Sequence, residues 1–198
     1  MDFKSIKTSH IIIGIIVILF CYTGCSYNSL VTNQEKATTS WADVEASYQR
    51  RADLIPSLVE TVKGYAKHEK ETFEAVVAAR AKATQITLDA ESLTPERLQQ
   101  IQKAQGELGA ALGRLMAVAE AYPDLKASKN FSDLQVQLEG TENRILEARR
   151  KYNEAVQSYN VSVRAFPNNI FANMFGFEKM TKFEADENAS KAPKVEFN

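Results

Sequence analysis

The chain contains few of the residues that interrupt helices or cross-link a fold. Its 198 residues include eight glycines, five prolines and two cysteines. The cysteines, Cys21 and Cys25, both lie near the N-terminus, so disulfides cannot hold the rest of the chain together. Alanine, glutamate, lysine, leucine and glutamine are plentiful, which is typical of long helices. We therefore predict an all-α protein whose length suits one globular domain.

An excess of charge of one sign is also lacking. The chain has 24 basic and 25 acidic residues, interspersed, and a formal net charge of -1. Such a sequence predicts no basic face for a phosphate backbone, so we do not expect nucleic acid as a partner. The two histidines, His10 and His68, lie far apart, and no further cysteines supply metal ligands. No metal site or cofactor is predicted.

Patterns that indicate catalysis are missing as well. Acid–base chemistry needs two titratable groups that converge on a pocket, and no such pair is recognisable. The acidic run Glu69, Glu71 and Glu74 includes Lys70, which is typical of a solvated helix face. No serine has the flanking glycines of a nucleophile elbow, and there is no glycine-rich phosphate loop. We therefore expect a protein that is not an enzyme.

The N-terminal 26 residues predict a membrane or signal segment. Lys4 and Lys7 precede a ten-residue apolar run at 11–20, and no charged residue follows until Glu35. The apolar run alone has the length of a signal-peptide core. The uncharged stretch from residue 8 to 34 is long enough to cross a hydrocarbon layer of roughly 30 Å as a helix. Both interpretations stay open.

Thr23-Gly24-Cys25 suggests a second way of anchoring the chain. Small residues directly before a cysteine are typical of a bacterial lipoprotein cleavage site, although Tyr22 stands where leucine is usual. Cys25 is therefore either a lipidation site or an ordinary residue near the end of a membrane helix. In both cases the lysines flank the N-terminal side, so the positive-inside rule places the body outside the cytoplasm.

Apolar residues spaced alternately three and four apart predict the first long helix. The pattern runs from Trp41 to Tyr65 and keeps its phase across Pro56, as in a coiled-coil seam. We predict a helix over about 28–64. Proline either kinks such a helix or ends it and begins another, and the pattern leaves both possibilities open.

Three more helices follow. The second is predicted to end near residue 87, the third begins at Pro95 with Thr94 as its cap and ends at Pro123, and the fourth is capped by Asn130 or Ser132 and ends before Phe166. Short connections favour an antiparallel, up-down four-helix bundle with long first and fourth helices. We assign this bundle to 27–177 and predict a polar, flexible tail at 178–198.

Small and polar residues on the helix seams predict particular contacts. Glycines 106, 109 and 113 form a stripe that we expect to allow close helix packing. Arg51 lies on an apolar seam, and a buried charge demands a partner. Counting about 1.5 Å per residue brings Glu142 to within roughly two turns of Arg51, so we predict a contact. Arg51 is expected either to extend its charged end to solvent, or to pair with a carboxylate that fixes the helix register, or to belong to a polar site for an anionic ligand or a peptide.

A cluster of aromatic residues follows the fourth helix, which we expect to run back towards the membrane. Phe171, Phe175 and Phe177 lie in this segment, with Lys179 and Lys182 after them. In one interpretation these side chains cover the lower part of the two long helices. In the other they contact the membrane interface, with the lysines near anionic head groups.

Several motifs together resemble the LemA family. They are Tyr27-Asn28-Ser29-Leu30-Val31, Arg50-Arg51-Ala52-Asp53-Leu54-Ile55-Pro56, Lys63-Gly64-Tyr65, Tyr122-Pro123-Asp124-Leu125-Lys126-Ala127 and Gly140-Thr141-Glu142-Asn143-Arg144-Ile145. The resemblance implies a helical bacterial protein held in a membrane by one N-terminal segment, with an unsettled biochemical role. It implies no catalytic residues. Cys25, two residues before Tyr27, departs from the family pattern of a plain membrane helix.

These features favour a membrane-anchored interaction or scaffold protein of the bacterial cell envelope. The expected partners are the membrane and a protein that the sequence does not name. The alternative is a sensor module that binds a ligand or peptide near Arg51 and Glu142.

Overall fold

All regular structure in the described part of the chain is helical. The computed structural model describes residues 8–86, 90 and 93–184. These residues form six helices and no strand: α1 (Thr8–Tyr65), α2 (Lys70–Gln85), α3 (Pro95–Glu120), α4 (Pro123–Lys126), α5 (Lys129–Arg164) and α6 (Asn168–Phe175). The prediction of an all-α fold is confirmed.

Helix α1 is one uninterrupted helix of 58 residues. At about 1.5 Å per residue it is roughly 87 Å long. We predicted a first helix that begins near residue 28, after a separate N-terminal segment. The observed helix instead passes through Gly24 and residue 26 without a break, and no proline separates the apolar run from the bundle.

Helix α1 also continues through Pro56, so this proline does not end the first helix, which was one of the two possibilities that the sequence left open. Proline has no N–H, so it cannot donate to the carbonyl four residues earlier, that of Ala52. In the structure Arg80 of α2 donates its Nε–H to the Ala52 oxygen at 2.8 Å. A side chain from the neighbouring helix thus satisfies the acceptor that proline leaves free.

The starts of α3 and α5 test the predicted caps. Thr94 caps α3 as predicted, since its Oγ1 accepts the Arg97 N–H at 3.2 Å and Pro95 follows it. Helix α5 begins at Lys129 with Ser128 at the cap position, so the prediction of Asn130 or Ser132 as the cap was wrong. The short helix α4 ends at Lys126 and leaves room for only two residues before α5.

Helices α1 and α5 pack against each other in opposite directions over most of their length. Successive partners along the pair are Arg51 with Glu142, Trp41 with Tyr152, and Asn33 with Ser162. Helices α2 and α3 form a second antiparallel pair, in which Lys82 of α2 reaches Glu107 of α3. Two clusters of buried side chains fill the space between the pairs, one around Ile55 and Leu112 and one around Trp41 and Tyr152.

The glycine stripe of α3 does not serve helix packing. A Cβ atom built at Gly106, Gly109 or Gly113 meets no neighbouring atom within 4 Å. The leucines of the same helix, Leu108 and Leu112, face the core instead. The prediction of close helix approach at these glycines was therefore wrong.

After α6 the chain turns back and runs along the bundle in an extended conformation. Gly176 adopts the left-handed conformation that ends the helix, with φ of 75°. The side-chain amide of Asn160 then bonds both backbone groups of Met180, at 2.8 and 2.9 Å. Asn153 does the same for Phe183, at 3.0 and 2.8 Å. The first seven residues of the predicted flexible tail, 178–184, are thus fixed to α5, and 185–198 lie outside the described residues.

Candidate functional site around Arg51

Arg51 joins three helices at the centre of the bundle. The residue is only 4% exposed. One terminal nitrogen donates to Oε1 of Glu142 on α5 at 2.6 Å. The other donates to the backbone oxygen and to Oε1 of Gln105 on α3, at 2.8 and 2.7 Å. The predicted contact between Arg51 and Glu142 is present, and it holds α1 in register with both partners.

The two members of this ion pair have unequal environments. The Glu142 side chain is 42% exposed, whereas the Arg51 side chain is 5% exposed. Water therefore screens the carboxylate but not the guanidinium. Arg51 Nε is buried and has no hydrogen-bond partner among the described residues. The positive charge at this position depends on Glu142 and Gln105 for its stabilisation.

Tyr48 lies one turn before Arg51 on α1 and shares its surroundings. Its side chain is buried. Burial raises the pKa of the Tyr48 phenol above its usual value, and the positive charges of Arg149 and Arg51 partly offset this effect. The Tyr48 phenol thus adds a further buried polar group beside the Arg51 guanidinium.

A cleft of about 650 Å³ adjoins the Arg51 site on the side of α2 and α3. Its walls include Tyr48, Gln105 and Glu45. Arg51 and Glu142 do not belong to the described residues that line it. The guanidinium therefore faces its protein partners. Tyr48 and Gln105 are the wall residues next to it, and the other polar residues that line the cleft are Glu45, Gln49, Thr84 and Gln85.

An aromatic layer lies between the Arg51 site and the N-terminal part of α1. Trp41 stacks on Phe183, with ring centroids 5.8 Å apart. Tyr152 packs edge-on against both rings, at 5.2 and 5.6 Å, and the guanidinium carbon of Arg149 lies 4.5 Å from the centre of the Phe183 ring. Burial raises the pKa of Tyr152 to about 12. This layer was not predicted from the sequence, although Phe183, one of two phenylalanines in the polar tail, was a usable signal.

The aromatic residues that we proposed for membrane contact pack in part on α1. Phe171 lies 5.9 Å from the Tyr22 ring. Phe175 and Phe177 both contact Tyr27, at 5.1 and 5.7 Å between ring centroids. These contacts support the interpretation in which the segment covers the lower part of the long helices. Phe175 also remains 44% exposed.

Cys25 and Cys21 are exposed free thiols on α1. Within the described residues, no group of three or more His, Cys, Asp or Glu side chains is placed to hold a metal ion. His68 lies in the exposed turn between α1 and α2.

The amino-acid sequence matches the model of a known protein family. A family model described as the LemA family matches residues 40–197, which is most of the chain. The chain belongs to the LemA family. The match begins at residue 40, so it concerns the helical body of this LemA-family protein and not its apolar N-terminal run. The resemblance predicted from the motifs is confirmed.

Individual relatives are 27–28% identical to this chain. Magnetosome protein MamQ 2 of Paramagnetospirillum magneticum is 28% identical over 179 residues, which cover 80% of this chain and 64% of the relative. MamQ of Magnetospirillum gryphiswaldense is 27% identical over 178 residues, with 79% and 64% covered. Protein LemA of Metamycoplasma hominis is 27% identical over 176 residues, with 89% and 76% covered. The chain thus spans less than two thirds of the length of the MamQ relatives.

Proposed function

We propose that this LemA-family protein is a membrane-anchored, non-enzymatic interaction protein that holds a helical body outside the cytoplasm. The observation that carries the proposal is the continuity of α1. One helix contains the exposed apolar residues at 11–13, 15–18 and 20 and, further along, Trp41 and Arg51 of the bundle interior. A membrane-held segment is therefore joined to the folded body without a flexible linker.

In this proposal α1, α2, α3 and α5 form an up-down four-helix bundle that extends away from the membrane. The antiparallel pairs α1 with α5 and α2 with α3 support this arrangement. Arg51 connects the two pairs through Glu142 and Gln105. The outer faces of the helices, which carry exposed Val77, Val136 and Leu146, are the surface offered to a protein partner.

The N-terminal part of α1 supports an anchor of either kind. Among the described residues, α1 is the one helix long and apolar enough to cross a membrane. If Thr23-Gly24-Cys25 is a lipoprotein site, intact-mass analysis of the purified protein should show loss of residues 1–24 and added acyl mass. Cys25→Ser should then keep the full N-terminus. An unprocessed wild-type chain contradicts lipidation and leaves the transmembrane anchor.

The orientation makes a separate prediction. Because Lys4 and Lys7 precede the apolar run, the body should lie outside the cytoplasm. Proteinase K added to intact spheroplasts should therefore digest the bundle, detected through a C-terminal tag, while a cytoplasmic marker protein survives. A body that is digested only after the membrane is lysed contradicts this orientation.

The interaction proposal is tested by photo-crosslinking in the native membrane. A photoreactive residue at Val77, Val136 or Leu146 should give a discrete adduct with a second protein at one or more positions. The same residue at Ile15, within the apolar run, should give lipid adducts and serves as the control. Lipid adducts at Ile15 without a protein adduct at any body position contradict the interaction proposal.

The alternative function is recognition of a small ligand or peptide, favoured by the cleft beside Tyr48 and Gln105. The buried Arg51 charge behind these side chains favours an anionic ligand. A panel of small carboxylates and phosphates tested by thermal shift should then stabilise the wild type but not Tyr48→Phe. If the protein is a scaffold, the added compounds should shift the melting temperature of neither the wild type nor Tyr48→Phe.

A further inference from the structure

Three large apolar side chains project from the membrane-proximal end of the bundle. Phe166 lies in the turn after α5 and is 82% exposed. Ile170 and Met174, one turn apart on α6, are 56% and 63% exposed. No charged residue occurs from residue 165 to 177. Contiguous exposed apolar surface of this kind marks a site of contact with a partner or a membrane.

The opposite side of α6 is fixed to the long helices. Ala172 is fully buried in a cluster with Leu30, Tyr159 and Val163. Asn168 Oδ1 accepts hydrogen bonds from the side chains of Ser26 and Tyr22, at 3.0 and 3.3 Å. The position of α6 is therefore set by residues 22–30 of α1, and its exposed side chains have a defined location.

That location is the end of the apolar run. Tyr22 follows Phe20 by two residues, or about 3 Å along the helix axis. The large apolar side chains at 11–13, 15–18 and 20 are themselves exposed, so no described element packs around them. Tyrosine at this position, as in Tyr22 and Tyr27, is typical of the boundary between hydrocarbon and water.

We propose that α6 and the preceding turn form a membrane-interface foot. Phe166, Ile170 and Met174 insert into the lipid surface beside the anchor, while Phe171 and Phe177 hold α6 against Tyr22 and Tyr27. This proposal depends on the membrane anchoring of α1 that is proposed above. With a lipid anchor Tyr22 would be removed with residues 1–24, and Ser26 and Tyr27, close to the acylated Cys25, would remain as contacts of α6 and the residues after it. The bilayer covers the apolar surface that the fold leaves open.

Depth-dependent fluorescence quenching tests the foot on the full chain. Phe166→Trp, Ile170→Trp and Met174→Trp proteins are reconstituted in vesicles of phosphatidylcholine and phosphatidylglycerol, with or without bromine on the acyl chains. Val136→Trp and Leu146→Trp are matched controls, since these are exposed apolar positions on α5. Native Trp41 is buried and lies 19 residues beyond Tyr22, roughly 28 Å along the helix, so it gives a constant background.

The expected result is at least a two-fold lower emission in brominated vesicles for the added tryptophan at the three foot positions, with no change at the controls. Vesicle flotation of the same samples separates the two proposals. A chain that does not float overturns both the anchor and the foot. A chain that floats without quenching at any foot position overturns the foot alone. Blue-shifted emission without quenching would show that a protein surface covers these residues, and this result also overturns the foot.

Discussion

Replacement of Phe183 with alanine should lower the free energy of unfolding by about 3 kcal/mol, near the lower end of the range for Phe→Ala in protein cores. The side chain is 6% exposed and contacts Trp41, Tyr152 and Arg149. Its removal leaves a cavity beside Trp41 and ends the contact of the Phe183 ring with Arg149. Urea unfolding of the detergent-solubilised protein, followed by circular dichroism, measures the loss.

Leu146→Ala is the control for this experiment. Leu146 lies on α5, as Tyr152 does, but it is exposed, so its replacement should change the unfolding free energy by no more than about 0.5 kcal/mol. Equal effects of the two substitutions would show that residues 178–184 are not held against the bundle. The expected difference would show that the folded domain extends past residue 177.

Replacement of Glu142 with alanine should destabilise the fold by about 1.5–3 kcal/mol, the range for hydrogen bonds to charged groups. The buried Arg51 charge then loses its carboxylate partner. Water can reach the half-exposed side of this site, so the loss should stay below the roughly 3–5 kcal/mol expected when a fully buried pair is broken. Chemical denaturation of wild type and variant gives the value.

A double-mutant cycle shows whether the cost comes from the unpaired charge. In an Arg51→Met background, Glu142→Ala should have little effect, because no buried cation remains. The Lys82–Glu107 pair is a matched control. Its N–O distance is also 2.6 Å, but Lys82 is exposed, so Glu107→Ala should cost much less than Glu142→Ala. Additive effects of the Arg51 and Glu142 substitutions would contradict the coupling.

The helices of the body were predictable because their apolar residues recur at a helical period. The same reasoning located the contact between Arg51 and Glu142, since two long antiparallel helices with known turns have few possible registers. Thr94 followed by Pro95 is a local signal that also predicted the start of α3. In each case the interactions that determine the structure lie within one helix or between two neighbouring helices.

The predictions failed where a distant part of the chain decides the structure. The carbonyl that Pro56 leaves free is satisfied by Arg80, 28 residues from Ala52, and sequence periodicity contains no information about this bond. The glycines of α3 looked like a packing stripe, but α1 and α2 contact the leucine face of that helix. Phe183 looked like part of a polar tail because its partners, Trp41 and Tyr152, lie far away in sequence.

The unbroken helix α1 gives the protein the geometry of a lever. Transmembrane helices tilt by about 0–40°, and their tilt responds to the thickness of the bilayer. From Tyr22 to Tyr65 the helix extends roughly 65 Å, so a change in tilt of about 10° displaces its far end by roughly 11 Å. If α1 spans the membrane, a small change in membrane thickness would therefore become a large sideways movement at the tip of the bundle.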